Sequence, residues 1–187
     1  ATGELHAMGY HWPDLIDHLH YVVVGGDGRV TKTLDIPVTD MPMVHDMSLT
    51  PTYAIVYDLP VTVNFDVMGK GYPFPFAWNP ARPARVGLLP RSGTADDIIW
   101  CDVAPCYVFH PLNAYDAPNG TVVVDVCRYD TMMVSDFNGP FGDALPPFDR
   151  WVIDPVARRV TATFGAARPR RLSIRRPGQA ELREKID

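Results

Sequence analysis

The chain alternates short extended segments with tight punctuation, and no stretch carries the apolar period of a long amphipathic helix. Residues 21–24 run into Gly25-Gly26-Asp27-Gly28 and resume over 29–38, which predicts a hairpin. Residues 43–50 and 52–59 predict a second pair, broken at Pro51, and 61–66 a further strand. The aromatic, proline-rich stretch 74–83 reads as a loop. Strands are expected over 84–90, 97–102, 106–112 and 121–129, the last entered through the tight turn of Asn119-Gly120. Residues 136–148 read as loop, and 150–154 with 158–164 as a last hairpin around Pro155-Val156-Ala157. One short helical turn is expected over 14–19. Strands spaced by roughly 8–12 residues fit a sandwich, a barrel or a propeller, and without a clean repeat periodicity does not choose among them.

Composition supports an all-β chain with a real core. Fourteen glycines and nineteen prolines in 187 residues exceed the usual level of turn formers without reaching that of disordered chains. A net charge of -5 argues against a nucleic-acid partner, which calls for a basic face. No run of about 18 apolar residues is present, and the chain is expected to be cytoplasmic. Cys101 and Cys106 do not form a CxxC pair, and with Cys127 the count is odd, so buried reduced thiols are expected. Six arginines and one lysine fall between Arg168 and Asp187, after a balanced or acidic body. This shift predicts two regions, a packed body over 1–165 and an Arg-rich tail over 166–187 outside the core.

Of six histidines, His6, His11, His18 and His20 crowd the start and lack the spacing of a zinc site, so they are expected to be solvated on a β surface. His45 and His110 differ. Strand alternation would place His45 on one face with Met43, Met47 and Leu49, and His110 with Val108 and Leu112. An ionisable group on an apolar face needs a partner, either a backbone carbonyl or a metal. Asp46 follows His45 and is expected to anchor a turn rather than support its neighbour, with Asn113 and Asp116 in similar roles. Pro111 removes a donor, so pairing should weaken just after His110.

The words around these histidines resemble the carotenoid oxygenase family, which includes carotenoid, apocarotenoid and lignostilbene cleavage enzymes. They are Met43-Val44-His45-Asp46 followed by Leu49-Thr50, Tyr53 and Asp58-Leu59-Pro60, and Phe109-His110-Pro111-Leu112-Asn113-Ala114-Tyr115-Asp116. Thr2-Gly3-Glu4-Leu5, Arg85-Val86-Gly87-Leu88-Leu89-Pro90-Arg91 and the strand 123–129 add to them. The likeness runs from Thr2 to about Thr163, so the chain reads as an internal piece. It implies part of a seven-bladed β-propeller, incomplete, with about three to four blades present. It also implies an axial Fe(II) held by four histidines from separate blades, with His45 matching the second ligand and His110 the third. Neither the first nor the fourth has a counterpart here, and the family's Glu-Phe-Pro word is missing after the last strand.

By that resemblance the chain is a fragment of a non-haem Fe(II) dioxygenase that splits a C=C bond of a carotenoid or apocarotenoid with O2 into two carbonyl products. The alternatives are stilbene cleavage, an inactive truncated propeller, and an unrelated binding module whose histidines are core residues. The partners implied are a lipophilic polyene or stilbene and O2, with peripheral membrane contact in the full-length protein. Neutral imidazoles suit Fe(II) and leave its charge undiminished. Phe74, Phe76 and Trp78 are expected to form a packed loop, with a tunnel lining as the alternative reading.

Overall fold

In a computed structural model, residues 3–11, 15–137 and 146–164 are described. The Arg-rich stretch 166–187 and most of the loop expected over 136–148 lie outside them. Thirteen strands are described, with one short α-helix and one turn of 3-10 helix over Ala95–Asp97. They form three consecutive antiparallel units, and this is the partial propeller that the sequence predicts.

The first unit is a three-stranded meander of β1 (Leu5–His11), β2 (Leu15–Val24) and β3 (Val30–Pro37). Its β2–β3 turn closes through Gly25, whose N–H donates to the Arg29 carbonyl at 2.8 Å, and through Gly28 at φ +80°. No turn forms at residues 15–19, where a helical turn was expected. Leu19 and Tyr21 alternate into the core, and that burial keeps β2 extended from its first residue.

The second unit comprises β4 (Met47–Leu49), β5 (Tyr53–Asp58), β8 (Ala84–Pro90) and β9 (Ile99–Val103). A small excursion between β5 and β8 holds β6 (Val61–Val63), α1 (Phe65–Gly69) and β7 (Phe76–Trp78). The strand expected over 61–66 ends at Val63 because Asn64 caps α1, its Oδ1 accepting from the Val67 N–H at 3.0 Å. The loop expected over 74–83 contains a strand. Residues 76–78 pair with β6, and Phe76 and Trp78 pack on the core while Phe74 is exposed.

The third unit is β10 (Tyr107–Asp116), β11 (Val122–Tyr129), β12 (Phe148–Asp154) and β13 (Arg159–Phe164). Gly120, at φ +82°, makes the β10–β11 turn. A single parallel bridge, Arg159 to Asp102, joins β13 to β9 and merges the second and third units into one eight-stranded sheet. The sheet begins at β10 and ends at β4, and these two strands approach one another so that it nearly closes.

The middle unit is buried on both faces, which explains why β5 reads as a continuous apolar run. Ala54, Val56 and Leu89 pack against Leu19, Tyr21, Val23 and Ile36 of the first unit. Ile55, Tyr57, Val86, Leu88 and Cys101 pack against Tyr107, Val122, Val124, Val126, Trp151 and Ile153 of the third. Cys101 and Cys106 are buried, Cys127 is half-buried, and all three are free thiols, as expected. Buried charges are paired: the Asp58 carboxylate accepts from Arg82 at 2.5 Å and from Arg85 at 2.7 Å, and that of Asp149 accepts from Arg128 at 2.5 Å. Among the described residues no helix is long and apolar enough to cross a membrane.

Candidate metal centre

The link from β3 to β4 carries His45, and it is not a strand. Residues 43–46 have no strand pairing, so the face shared with Met43, Met47 and Leu49 does not exist. Met43 is buried while His45 is exposed. The link is instead hung on the surrounding units. Asp40 and Met41 take positive φ values, 59° and 48°, and the buried Arg82 holds the bend by donating to the Thr39 carbonyl and to Asp40 Oδ2 at 2.9 Å. The Met43 N–H donates to the Val61 carbonyl at 2.7 Å, and the Tyr107 hydroxyl donates to the Met43 carbonyl at 2.9 Å. The Tyr10 hydroxyl donates to the Val44 carbonyl at 3.0 Å and accepts from the N–H of the same residue.

His110 sits on β10, and the strand is irregular around it. The register against β11 slips between Val108 and Pro111 and again between Pro111 and Asn113, so β10 bulges on both sides of the proline. Pairing weakens there, as Pro111 predicts, but the strand continues to Asp116. The bulges also break the simple alternation: Val108 is buried, whereas His110 and Leu112 are exposed.

These two departures bring the two histidines together. The ring centroids of His45 and His110 lie 5.0 Å apart, nearly edge-on at 71°. Phe109 stacks on His45 at 3.9 Å. Asp46 was expected to anchor a turn, but none forms at residues 43–47: its Oδ1 accepts from the N–H of Met47, the first residue of β4, at 2.7 Å, and its Oδ2 lies 3.4 Å from Nδ1 of His110. Partial burial, and next the proximity of His110, hold the His45 pKa below its ordinary value, which favours the neutral, ligating form. A contact of His110 Nδ1 with a carboxylate leaves Nε2 for a metal. Two imidazoles so placed fit a first-row divalent ion as two of its ligands. Among the described residues no group of three potential ligands forms, whereas the resemblance implies four histidines. Two clefts flank the pair. One, of about 210 Å³, lies between residues 6–8 and 44–47; the other, of about 380 Å³, lies between residues 46–49 and 111–114.

The other histidines do not join this pair. His6 is not solvated: its Nδ1 is 2.7 Å from the Tyr21 hydroxyl and its Nε2 is 3.0 Å from Arg91 Nη2. His18 and His20 are paired with Asp17 at 2.8 Å and Asp35 at 2.6 Å, and His11 stands edge-on to His20 at 5.7 Å. The solvated reading fails for His6, whose side chain is only 6% exposed, whereas the His18 and His20 pairs lie at the surface. Sequence reasoning also passed over Tyr10 and Tyr107, whose contacts join segments far apart in the chain.

Comparison with known proteins shows what the chain as a whole is similar to. The family model described as retinal pigment epithelial membrane protein matches residues 1–179. A protein named carotenoid cleavage oxygenase from Mycobacterium tuberculosis is 39% identical over 204 residues, covering 86% of this chain and 40% of that protein. An Arabidopsis thaliana carotenoid 9,10(9',10')-cleavage dioxygenase 1 is 29% identical, covering 92% of this chain and 31% of that one. The crystal structure of Pseudomonas brassicacearum lignostilbene dioxygenase superposes with a TM-score of 0.72 at 28% identity, over 87% of this chain and 36% of its own. The chain thus spans less than half the length of each.

Proposed function

The chain belongs to the family described as retinal pigment epithelial membrane protein, and on that premise we propose that it is part of a non-haem Fe(II) dioxygenase that cleaves a C=C bond of a carotenoid or apocarotenoid. One O2 is consumed, one oxygen atom going to each alkene carbon, and two carbonyl products form. The observation that carries this reading is the 5.0 Å approach of His45 and His110 from separate units. In it, His45 and His110 hold the metal, Asp46 orients His110, and Phe109 fixes the ring plane of His45 by stacking. Bound Fe(II) supplies the dioxygen chemistry. Four neutral histidines would leave it positions for small molecules, and the clefts beside the pair give access.

A stilbene substrate is the second reading, favoured by the likeness to the lignostilbene dioxygenase. In either case the substrate is lipophilic. Phe65, Met68, Tyr72 and Phe74 present exposed apolar side chains on and just after α1, which supports peripheral contact with a membrane that stores such a substrate. The test is made in a chain extended to the length of its relatives, loaded anaerobically with Fe(II) and assayed with an apocarotenoid and a stilbene. Stoichiometric iron and aldehyde formation are expected, and both should be lost in His45→Ala and His110→Ala. Iron retained in both variants would overturn the ligand assignment. The 187-residue chain alone, with half the ligand set, is expected to be inactive.

A further inference from the structure

We infer that Tyr10 and Tyr107 are positioning residues that hold the ligand-bearing peptide from two different units and so set His45 against His110; the inference rests on the metal reading of that pair. The link around His45 lacks the strand ladder that would otherwise hold a ligand rigidly. Backbone that is neither helix nor strand needs other partners for its polar groups. Here they are two phenols, one from the first unit and one from the third. Tyr10 belongs to β1, an edge strand of the first unit, and its one hydroxyl serves both the N–H and the carbonyl of Val44, the residue before His45. Tyr107 belongs to β10, the first strand of the third unit, and, itself buried, donates to the carbonyl of Met43.

The second clamp has a particular consequence. Tyr107 lies three residues before His110 on the same strand. Its bond to Met43 therefore ties the peptide that carries one histidine to the strand that carries the other, independently of any metal. Together with the Asp46–His110 contact, it pins the two ligand segments at two points along the chain. A ligand pair held in this way is arranged before the metal arrives, which reduces the ordering cost of binding.

The hydroxyls are removed singly in Tyr10→Phe and Tyr107→Phe, in the chain extended to the length of its relatives, with His45→Ala as control. Two quantities are read: the affinity for Co(II), followed by its absorption spectrum, and hydrogen exchange over residues 43–46. Loss of an oriented partner of a ligand commonly weakens metal binding about 10–100-fold. Both phenylalanine variants should bind Co(II) about tenfold more weakly than the parent. Exchange over 43–46 should rise while β5 and β8 stay protected and the urea midpoint of Tyr10→Phe stays close to that of the parent. A Co(II) affinity unchanged in both variants, with His45→Ala losing binding, would overturn the clamp and leave the metal reading standing. A lower urea midpoint with unchanged affinity would make the hydroxyls merely structural and overturn it as well. If His45→Ala binds Co(II) as the parent does, or the parent binds none, the metal reading falls and the positioning role falls with it.

Discussion

Asp46 follows His45 in the chain, yet its carboxylate turns to His110, with Oδ2 3.4 Å from Nδ1 across 64 residues of sequence. The contact is long and open to solvent, with His110 59% and Asp46 40% exposed in their side chains. Its energetic worth lies in orientation more than in charge. Asp46→Asn keeps an acceptor and should weaken iron binding in the extended protein by about tenfold, whereas Asp46→Ala should weaken it further. Competitive titration against a chelator of known affinity measures both, and equal affinity in all three proteins would remove Asp46 from the site.

Asp58 is a stability determinant. It is almost wholly buried and accepts from two guanidinium groups, and Arg82 beyond it braces the bend at Thr39 and Asp40. Asp58→Ala leaves the buried Arg82 with only the more exposed Asp40 as counter-charge and should cost about 3 kcal/mol. Arg85→Ala removes a more exposed partner, stacked 3.9 Å over Trp100, and should cost about 1 kcal/mol. Urea midpoints of the two variants should separate in that order.

Gly87 has no room for a side chain. It pairs with Trp100, and a Cβ there would meet Ile98 Cδ1 at 2.6 Å and Trp100 Cζ3 at 2.8 Å. Gly87→Ala should destabilise by about 1–3 kcal/mol and disturb the Arg85–Trp100 stack, which the tryptophan fluorescence would register.

His6 gives stability a pH dependence. Burial first, and then the Arg91 charge, hold its pKa below the ordinary 6.5, with Glu4 opposing. The unfolded chain therefore takes up the proton more readily than the folded one. The contribution is complete above about pH 6.5 and is lost as the pH falls toward the lower folded value. Between about pH 7.5 and 5.5 the urea midpoint should drop in the parent and drop less in His6→Gln. A residual slope is expected, because the His45 pKa is lowered as well.

The thiols should be inert in the native state. Burial pushes Cys106 up to about 12 and raises Cys101 and Cys127 too. A disulfide reagent should titrate Cys101 and Cys106 only on unfolding.

Strand positions were legible where local chemistry decides them. The hairpin at Gly25-Gly26-Asp27-Gly28 and the turn at Asn119-Gly120 are set by residues that tolerate positive φ, and β8 follows the predicted bounds 84–90. The start of β2 was not, because long-range burial of Leu19 and Tyr21 outweighs weak local preference. His45 and His110 were legible as an unusual pair from their neighbouring words. Their meeting depends on an unpaired link and a double bulge, and neither period nor spacing encodes these. The partners of Asp46, Tyr10 and Tyr107 lie between 34 and 64 residues away, beyond the reach of any local pattern.

The three units follow one another along the chain without interleaving, and this sets an order of assembly during synthesis. A ribosome adds about 5–20 residues per second, whereas hairpins close in microseconds, so each unit has seconds to fold before the next emerges. The first unit is complete at Pro37, before His45 is made, and the second at Val103, before His110 is made. The histidine pair comes into being only when the third unit docks on the second. A nascent chain shorter than that carries His45 without the partner that His110 provides.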